Sequence, residues 1–197
     1  MRIIGISGKA RHGKDTCAAI MQTIAHKHGR NIGTWALADA LKANVYAEAQ
    51  GKYSLREIWG DKPPEVRHLL QQRGTELGRM VYGEDLWTLQ CEAYIYLMRQ
   101  RFPFLDALIF TDVRFPNEVV FIQNGGSVTP TDSPGTALRI KSNRATLEGD
   151  AATHPSETAL DSLNDDEFDG VIINNNNTTL DDLAVQLEPI VSKLFLT

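Results

Sequence analysis

Cysteine is nearly absent from this chain: Cys17 and Cys91 are the only two in 197 residues. They lie far apart and follow no metal-ligand spacing, which argues against a disulfide framework or a thiolate metal site and leaves two small buried hydrophobes in a reducing compartment. Long apolar runs are missing too, so nothing reads as a membrane span. The opening "MRIIGISG" is interrupted by glycine too early for a signal peptide, and a cytoplasmic protein is expected. Positive charge is the minority sign, with 20 Lys and Arg against 25 Asp and Glu for a net charge of −5. That balance disfavours a nucleic-acid polymer as partner, while leaving room for a small anion in a local basic pocket. No internal repeat is visible, and the asparagine run at 174–177 is too short for a low-complexity segment and sits where a turn is needed.

What is present is an ordinary globular composition, 42% hydrophobic and 23% charged, in a chain long enough for one substantial core. "RIIGIS" is a short apolar run that ends at a glycine loop, and "DTCAAIMQTIAHKH" then places apolar residues at helical spacing. A second strand is expected at "IGTWALA", followed by a helix from Asp39 that stops at Gly51. Two strand-to-helix switches so close together predict a parallel sheet with crossover helices. Residues 54–101 read as helical throughout, including a helix opened by Pro63 and Pro64 and a long one starting near Asp85. The sheet resumes at "ALIFTDV", with "RFPNEVVFIQNGG" as loop, helix and glycine stop, and with "SVTPT" and "TALRIK" as further short strands. Residues 142–158 are polar and aperiodic, and read as a mobile surface loop or lid with a short helix. "FDGVIINN" is a last strand, and "TTLDDLAVQLEPIVSKLF" an amphipathic helix capped by Thr178 or Thr179 and kinked at Pro189. One domain follows, with a core of about 1–50 and 104–197, a helical insertion of about 52–102 and a lid of about 141–158.

The most specific chemical signal is "ISGKARHGKDTC". The spacing from Gly8 through Gly13 to Lys14 fits a phosphate loop, in which glycines let backbone N–H groups turn toward an anion and a lysine reaches the terminal phosphates. The residue after that lysine is ordinarily a magnesium-binding Ser or Thr; here it is Asp15, with Thr16 one place later. Asp15 either reaches the metal, directly or through water, or stabilises the helix N-terminus by its charge. Thr16 is the other source of a ligand oxygen. In an open parallel sheet ligands lie beyond the carboxyl ends of the strands. Asp39 falls there after the second strand, either orienting an acceptor group or simply capping its helix, with Lys42 one turn on. Asp112 falls there after the third, placed to hold magnesium by way of water, with Arg114 placed to meet a transferring or acceptor phosphate. Arg67, Arg73 and Arg79 are six apart in turn and so share no single helical face, which leaves at least one solvated or structurally paired. Trp87 either stacks on a base or belongs to the core. In the lid, Arg144 is the first candidate to screen phosphate charge and Arg139 the second. His154 ties its loop down or lies exposed, and His26 and His28 are surface residues.

These residues resemble a known family. "SGKARHGKDT", "ADALK", "QRGTELGR" followed by Trp87, "TDVRFPNE", "HPSE" and "FDGVIINNNNTTLDDL" are similar, in order, to the bacteriophage deoxynucleoside monophosphate kinases. The animal-type phosphomevalonate kinases look like more distant relatives that share the Gly-Lys-Asp loop and the Asp-Val-Arg strand end. The resemblance implies a three-layer α/β/α P-loop NTPase fold with a mainly parallel sheet, a helical insertion that binds the nucleoside monophosphate, and a small lid. It implies an enzyme that transfers the γ-phosphate of ATP, with Mg2+, to a deoxynucleoside monophosphate, giving the diphosphate and ADP. It also implies a homodimer in the cytoplasm, that of the host for a viral protein, with no membrane partner.

Carried over by position, Gly8, Lys9, Ala10, Arg11, His12, Gly13, Lys14, Asp15 and Thr16 would hold ATP, with Asp15, Thr16 and Asp112 at the metal. Asp39, Lys42, Arg73, Arg79, Trp87 and Arg114 would surround the acceptor. Lys14, Asp39, Asp112, Arg114 and, from the lid, Arg144 would serve transfer. Two other readings remain beside this one: a P-loop kinase of another small phosphorylated metabolite, and a nucleotide-binding regulator without transferase activity.

Overall fold

Continuous apolar runs in the strands, rather than alternating ones, signal a sheet covered on both faces. The computed structural model, which describes residues 1–145 and 153–196, bears this out. Strands β1 (Arg2–Ser7), β2 (Ile32–Trp35), β3 (Ala107–Val113), β4 (Thr136–Lys141) and β5 (Gly170–Ile173) form one sheet in the order β2-β3-β1-β4-β5. Every pairing is parallel, so the expected mainly parallel sheet is wholly so.

Successive side chains of a strand point to opposite faces, and the core divides accordingly. Ile4, Ile6, Ile109 and Ile140 meet Met21 and Ile24 of α1 (Lys14–Lys27) and Leu183, Leu187 and Val191 of the C-terminal helix, Leu180–Leu196. On the opposite face Ile3, Leu108 and Phe110 meet Cys91 and Ile95 of the helix Leu86–Arg101, and Val119, Phe121 and Ile122 of the helix Pro116–Gln123. Helices therefore flank the sheet on both sides.

After α2 (Asp39–Glu48) the chain is helical almost to β3, as expected. A π-helical turn at Glu57–Asp61 precedes α3 (Pro64–Gln71), opened by Pro63 and Pro64. A second π-helical stretch, Gln72–Arg79, runs into α4 (Met80–Tyr82), and α5 (Leu86–Arg101) follows. Val45, Ile58 and Val66 give this segment its own small core, flanked by Leu41, Leu69 and Leu70. Among the described residues, the later α-helices are α6 (Pro116–Gln123), α7 (Pro155–Thr158) and α8 (Leu180–Leu196), with a 3-10 turn at Asp165–Glu167.

Two local expectations change, and a third is narrowed. β2 stops at Trp35, because the N–H groups of Ala36, Leu37 and Ala38 turn to the carboxylates of Asp39 and Asp112 instead of a neighbouring strand. "SVTPT" forms no strand. Gly125 and Gly126 have φ of +77° and +79°, and Thr131 Oγ1 donates to Asn124 O at 2.8 Å, so the segment satisfies itself locally, and Pro130 has no N–H for a ladder. At the C-terminal helix the cap is Thr179: Asp182 N–H donates to its Oγ1 at 3.1 Å while its own N–H reaches Asp182 at 2.9 Å, and α8 runs on past Pro189. Residues 146–152, the centre of the expected lid, lie outside the described residues. Both cysteines are free and buried, and burial pushes the Cys17 thiol up to about 11. Among the described residues no helix is long and apolar enough to cross a membrane.

Candidate functional site

The sheet order fixes where a ligand crevice opens. From β1 the chain leaves through α1 on one face, and from the neighbouring β3 it leaves through α6 on the other. Beyond the carboxyl ends of these two strands the connections diverge, which is the switch point at which α/β folds form ligand sites. The glycine loop hangs from β1, and residues 112–115 hang from β3.

Two glycines of the loop take backbone conformations that side chains rarely adopt. Gly8 has φ +145°, and a Cβ there would lie 2.9 Å from Ile140 O; Gly13 has φ +88°, and its Cβ would fall 2.4 Å from Asn174 Nδ2. A side chain at either position therefore collides with the neighbouring strand ends as well as straining the backbone. Arg11 also has positive φ, +66°, uncommon for a residue with a side chain. His12 is buried with both ring nitrogens unpartnered among the described residues, while its carbonyl accepts from Asn174 Nδ2 at 2.8 Å. Burial, chiefly, lowers the His12 pKa. Lys14 Nζ donates to Gly8 O at 2.6 Å and Lys9 O at 2.9 Å. Desolvation, reinforced by the Arg114 guanidinium, lowers its pKa to about 8. The Asp15 carboxylate and Thr16 hydroxyl, both exposed, have no hydrogen-bond partner among the described residues.

Asp112 faces the loop from β3, but it has a structural task as well. Its two oxygens accept the N–H groups of Leu37, at 2.7 Å, and Ala38, at 3.0 Å, clamping the start of α2 to β3. Asp39 likewise accepts from Ala36 N, Lys42 Nζ and Trp59 Nε1, at 3.0, 2.8 and 2.9 Å. Arg114 is held from the far side of the gap: its Nη1 donates to Ser156 O at 3.0 Å and pairs with the Glu157 carboxylate. Beneath it Glu118 pairs with Arg79 and accepts the N–H groups of Arg114 and Phe115 at 2.7 and 3.1 Å. Full burial raises the Glu118 carboxyl to about 7, against the pull of Arg79. Arg79 also lies over the Phe115 ring, 3.9 Å from its centroid. One buried ion pair thus fixes the Arg114 loop to the helical segment.

A cavity of about 510 Å3 joins these groups. The loop (Ala10, Arg11, Lys14, Asp15), Asp112, Arg114 and Glu157 line it together with Leu41, Lys42, Trp59, Lys62, Arg67, Gln71, Arg79 and Trp87 from α2 and the helical segment. Trp87 is buried with its Nε1 donating to Gly74 O at 2.9 Å, so it forms a wall. Not all the expected residues gather here. Arg73 pairs with Glu48 at 3.1 Å and does not line the cavity, and Arg144 Nη2 donates to Asn175 O at 3.2 Å beside the end of β5. Arg139 is engaged with the carbonyls of Leu160 and Leu163 at 2.6 and 2.7 Å. His154 caps α7, accepting from Ser156 N at 3.2 Å, and His28 pairs with Glu188 on the surface.

Sequence reading missed Lys62, Trp59, Glu118 and Glu157, and left Arg67 unassigned. Lys62 and Arg67 line the cavity with no ion-pair partner among the described residues, and burial together with Lys42 and Arg67 lowers the Lys62 pKa. The "HPSE" motif was the available signal for Glu157. No protein-family model matches this chain, and no curated protein matches it either. Fold and site together define a helix-flanked, all-parallel α/β protein with a basic crevice at its switch point, consistent with a P-loop-like fold.

Proposed function

We propose that this chain is a P-loop kinase that transfers the γ-phosphate of ATP to a deoxynucleoside monophosphate. The carrying observation is that one cavity joins the glycine loop and Lys14 to a second set of cations, Lys62 and Arg67, across Asp112 and Arg114. A donor phosphate chain and a separate anionic acceptor are what such a bipolar arrangement accommodates. The apolar and aromatic wall of Leu41, Trp59 and Trp87 favours an acceptor with a flat, partly apolar body over a purely aliphatic one.

In this reading the loop holds the donor, and Lys14 and Arg114 neutralise charge as the phosphoryl group passes between the two anions. The acceptor is already an oxyanion, so no strong general base is required. The cavity walls align the reactants and exclude water. Asp15 and Asp112 line the cavity and offer the hard oxygens magnesium takes. The Asp15 carboxylate and Thr16 hydroxyl carry no competing hydrogen bond among the described residues, while both Asp112 oxygens already accept N–H groups and would reach the ion by way of water. When bound, the ion would supply positive charge to the phosphate oxygens. The homodimer and cytoplasmic setting belong to the same proposal.

The test is ADP release from ATP and magnesium across all deoxy- and ribonucleoside monophosphates and phosphomevalonate. Stimulation by one or a few deoxynucleotides is expected, with a loss of roughly a hundredfold or more in a folded Lys14→Ala variant. Stimulation by phosphomevalonate alone would replace the acceptor. Nucleotide binding without stimulation by any acceptor would overturn the transferase reading.

A further inference from the structure

Glu157 is an anomaly. It belongs to a four-residue helix in which no residue is buried as a whole, yet its side chain is only 8% exposed. Apolar packing does not account for that burial. Its contacts do: Oε2 accepts the loop amide of Ala10 at 3.1 Å, and Oε1 is paired with the Arg114 guanidinium. Both partners line the cavity alongside Lys14, whose charge the carboxylate also feels. A loop N–H, a guanidinium and a nearby ammonium are the donors that an incoming phosphate oxygen needs.

We infer that Glu157 is an internal anion that occupies part of the phosphate seat, and that ligand phosphate binds by displacing it. The inference rests on the phosphate-loop reading given above. A carboxylate and a phosphate cannot share these donors, because like charges at contact distance repel and each donor hydrogen serves one acceptor well. The segment's far end is tied down by Arg139, which donates to Leu160 O and Leu163 O. Besides the Glu157 carboxylate, the contacts that hold it to the loop and the β3 end include the exposed Lys9–Asp161 pair, 2.9 Å apart, and Arg114 Nη1 donating to Ser156 O at 3.0 Å. Freed, Arg114 turns from Glu157 to the ligand. The consequence is discrimination: a simple anion must compete with a carboxylate already in place, whereas a polyphosphate that also engages Lys14 and more loop amides wins.

The experiment titrates inorganic pyrophosphate, without magnesium, into the full chain and its Glu157→Gln variant at neutral pH by calorimetry. Removing the resident charge is expected to tighten pyrophosphate binding roughly tenfold. Equal or weaker binding by Glu157→Gln overturns the inference and makes Glu157 a support for Arg114 instead. Should that variant not fold, the unmodified chain supplies the reciprocal measurement: saturating pyrophosphate should speed amide hydrogen exchange across residues 153–161, and slowed or unchanged exchange overturns the inference. Absence of pyrophosphate binding to both proteins overturns both this inference and the phosphate-loop reading. Displacement of Glu157 without transfer to any monophosphate leaves the inference standing and removes only the kinase.

Discussion

Lys14 shows how a single residue registers its surroundings. Its ammonium is turned back onto the carbonyls of Gly8 and Lys9, and burial beside Arg114 lowers its pKa to about 8. Below that pH the amine is charged; above it the proton is lost. A bound polyphosphate favours the charged form, so binding above about pH 8 must be accompanied by proton uptake, and affinity falls as pH rises. ATP is fully ionised in that range, so the ligand adds no titration of its own. The expected result is a loss of ATP affinity approaching tenfold per pH unit between roughly pH 8 and 10, absent from Lys14→Ala. A flat profile for the unmodified chain would place Lys14 away from the phosphates. Gly8, Gly13 and Lys14 were legible because their requirements are local: the spacing alone specifies the turn. Glu157 was not, since its partners Ala10 and Arg114 lie 147 and 43 residues away and only the fold brings them together.

Among the elements, the helical segment between α2 and β3 carries the other half of the site, and one buried ion pair couples it to the β3 end. Arg79 is held by Glu118, Glu84 O and Asn117, the last two at 2.8 and 3.3 Å. Removing the guanidinium takes the counterion from a buried Glu118 group already raised to about 7, which then takes up a proton rather than stay an unpaired carboxylate, a loss of up to about 3–5 kcal/mol. Arg79→Ala should therefore lower stability in urea by about that amount, whereas Glu118→Gln, whose one carbonyl oxygen can still accept from the Arg114 and Phe115 amides, should lose less. A cost below about 1 kcal/mol for Arg79→Ala would show that the pair is solvated in solution. The π-helical stretch Gln72–Arg79 brings Gly78 against Trp87, where a Cβ would sit 2.9 Å from the ring. The helical period identified this segment but not its widened turns, which place Arg73 toward Glu48 and Arg79 toward Glu118. The opposite error occurred at "SVTPT", where a brief apolar alternation suggested a strand. Two left-handed glycines and a proline decide that stretch instead, and no strand-length pattern contains that information.

At the scale of the whole molecule, the order β2-β3-β1-β4-β5 turns separate sequence signals into one place. Neighbouring strands β1 and β3 send their chains to opposite faces, and the gap between them receives Lys14 from one and Asp112 with Arg114 from the other. That convergence was readable in advance because strand ends of a parallel sheet share an edge. The composition of the facing wall was not, since Trp59, Lys62 and Arg67 depend on how a small separate core of Val45, Ile58 and Val66 seats the helical segment. In the proposed chemistry, two anions meet in this gap and exchange a phosphoryl group. Its most direct measurement is the product balance when the chain is incubated with ATP, magnesium and the monophosphate that stimulates it most. Deoxynucleoside diphosphate and ADP appearing in equal amounts, without inorganic phosphate, is the predicted result. ADP accompanied by inorganic phosphate, with the monophosphate unchanged, would contradict it.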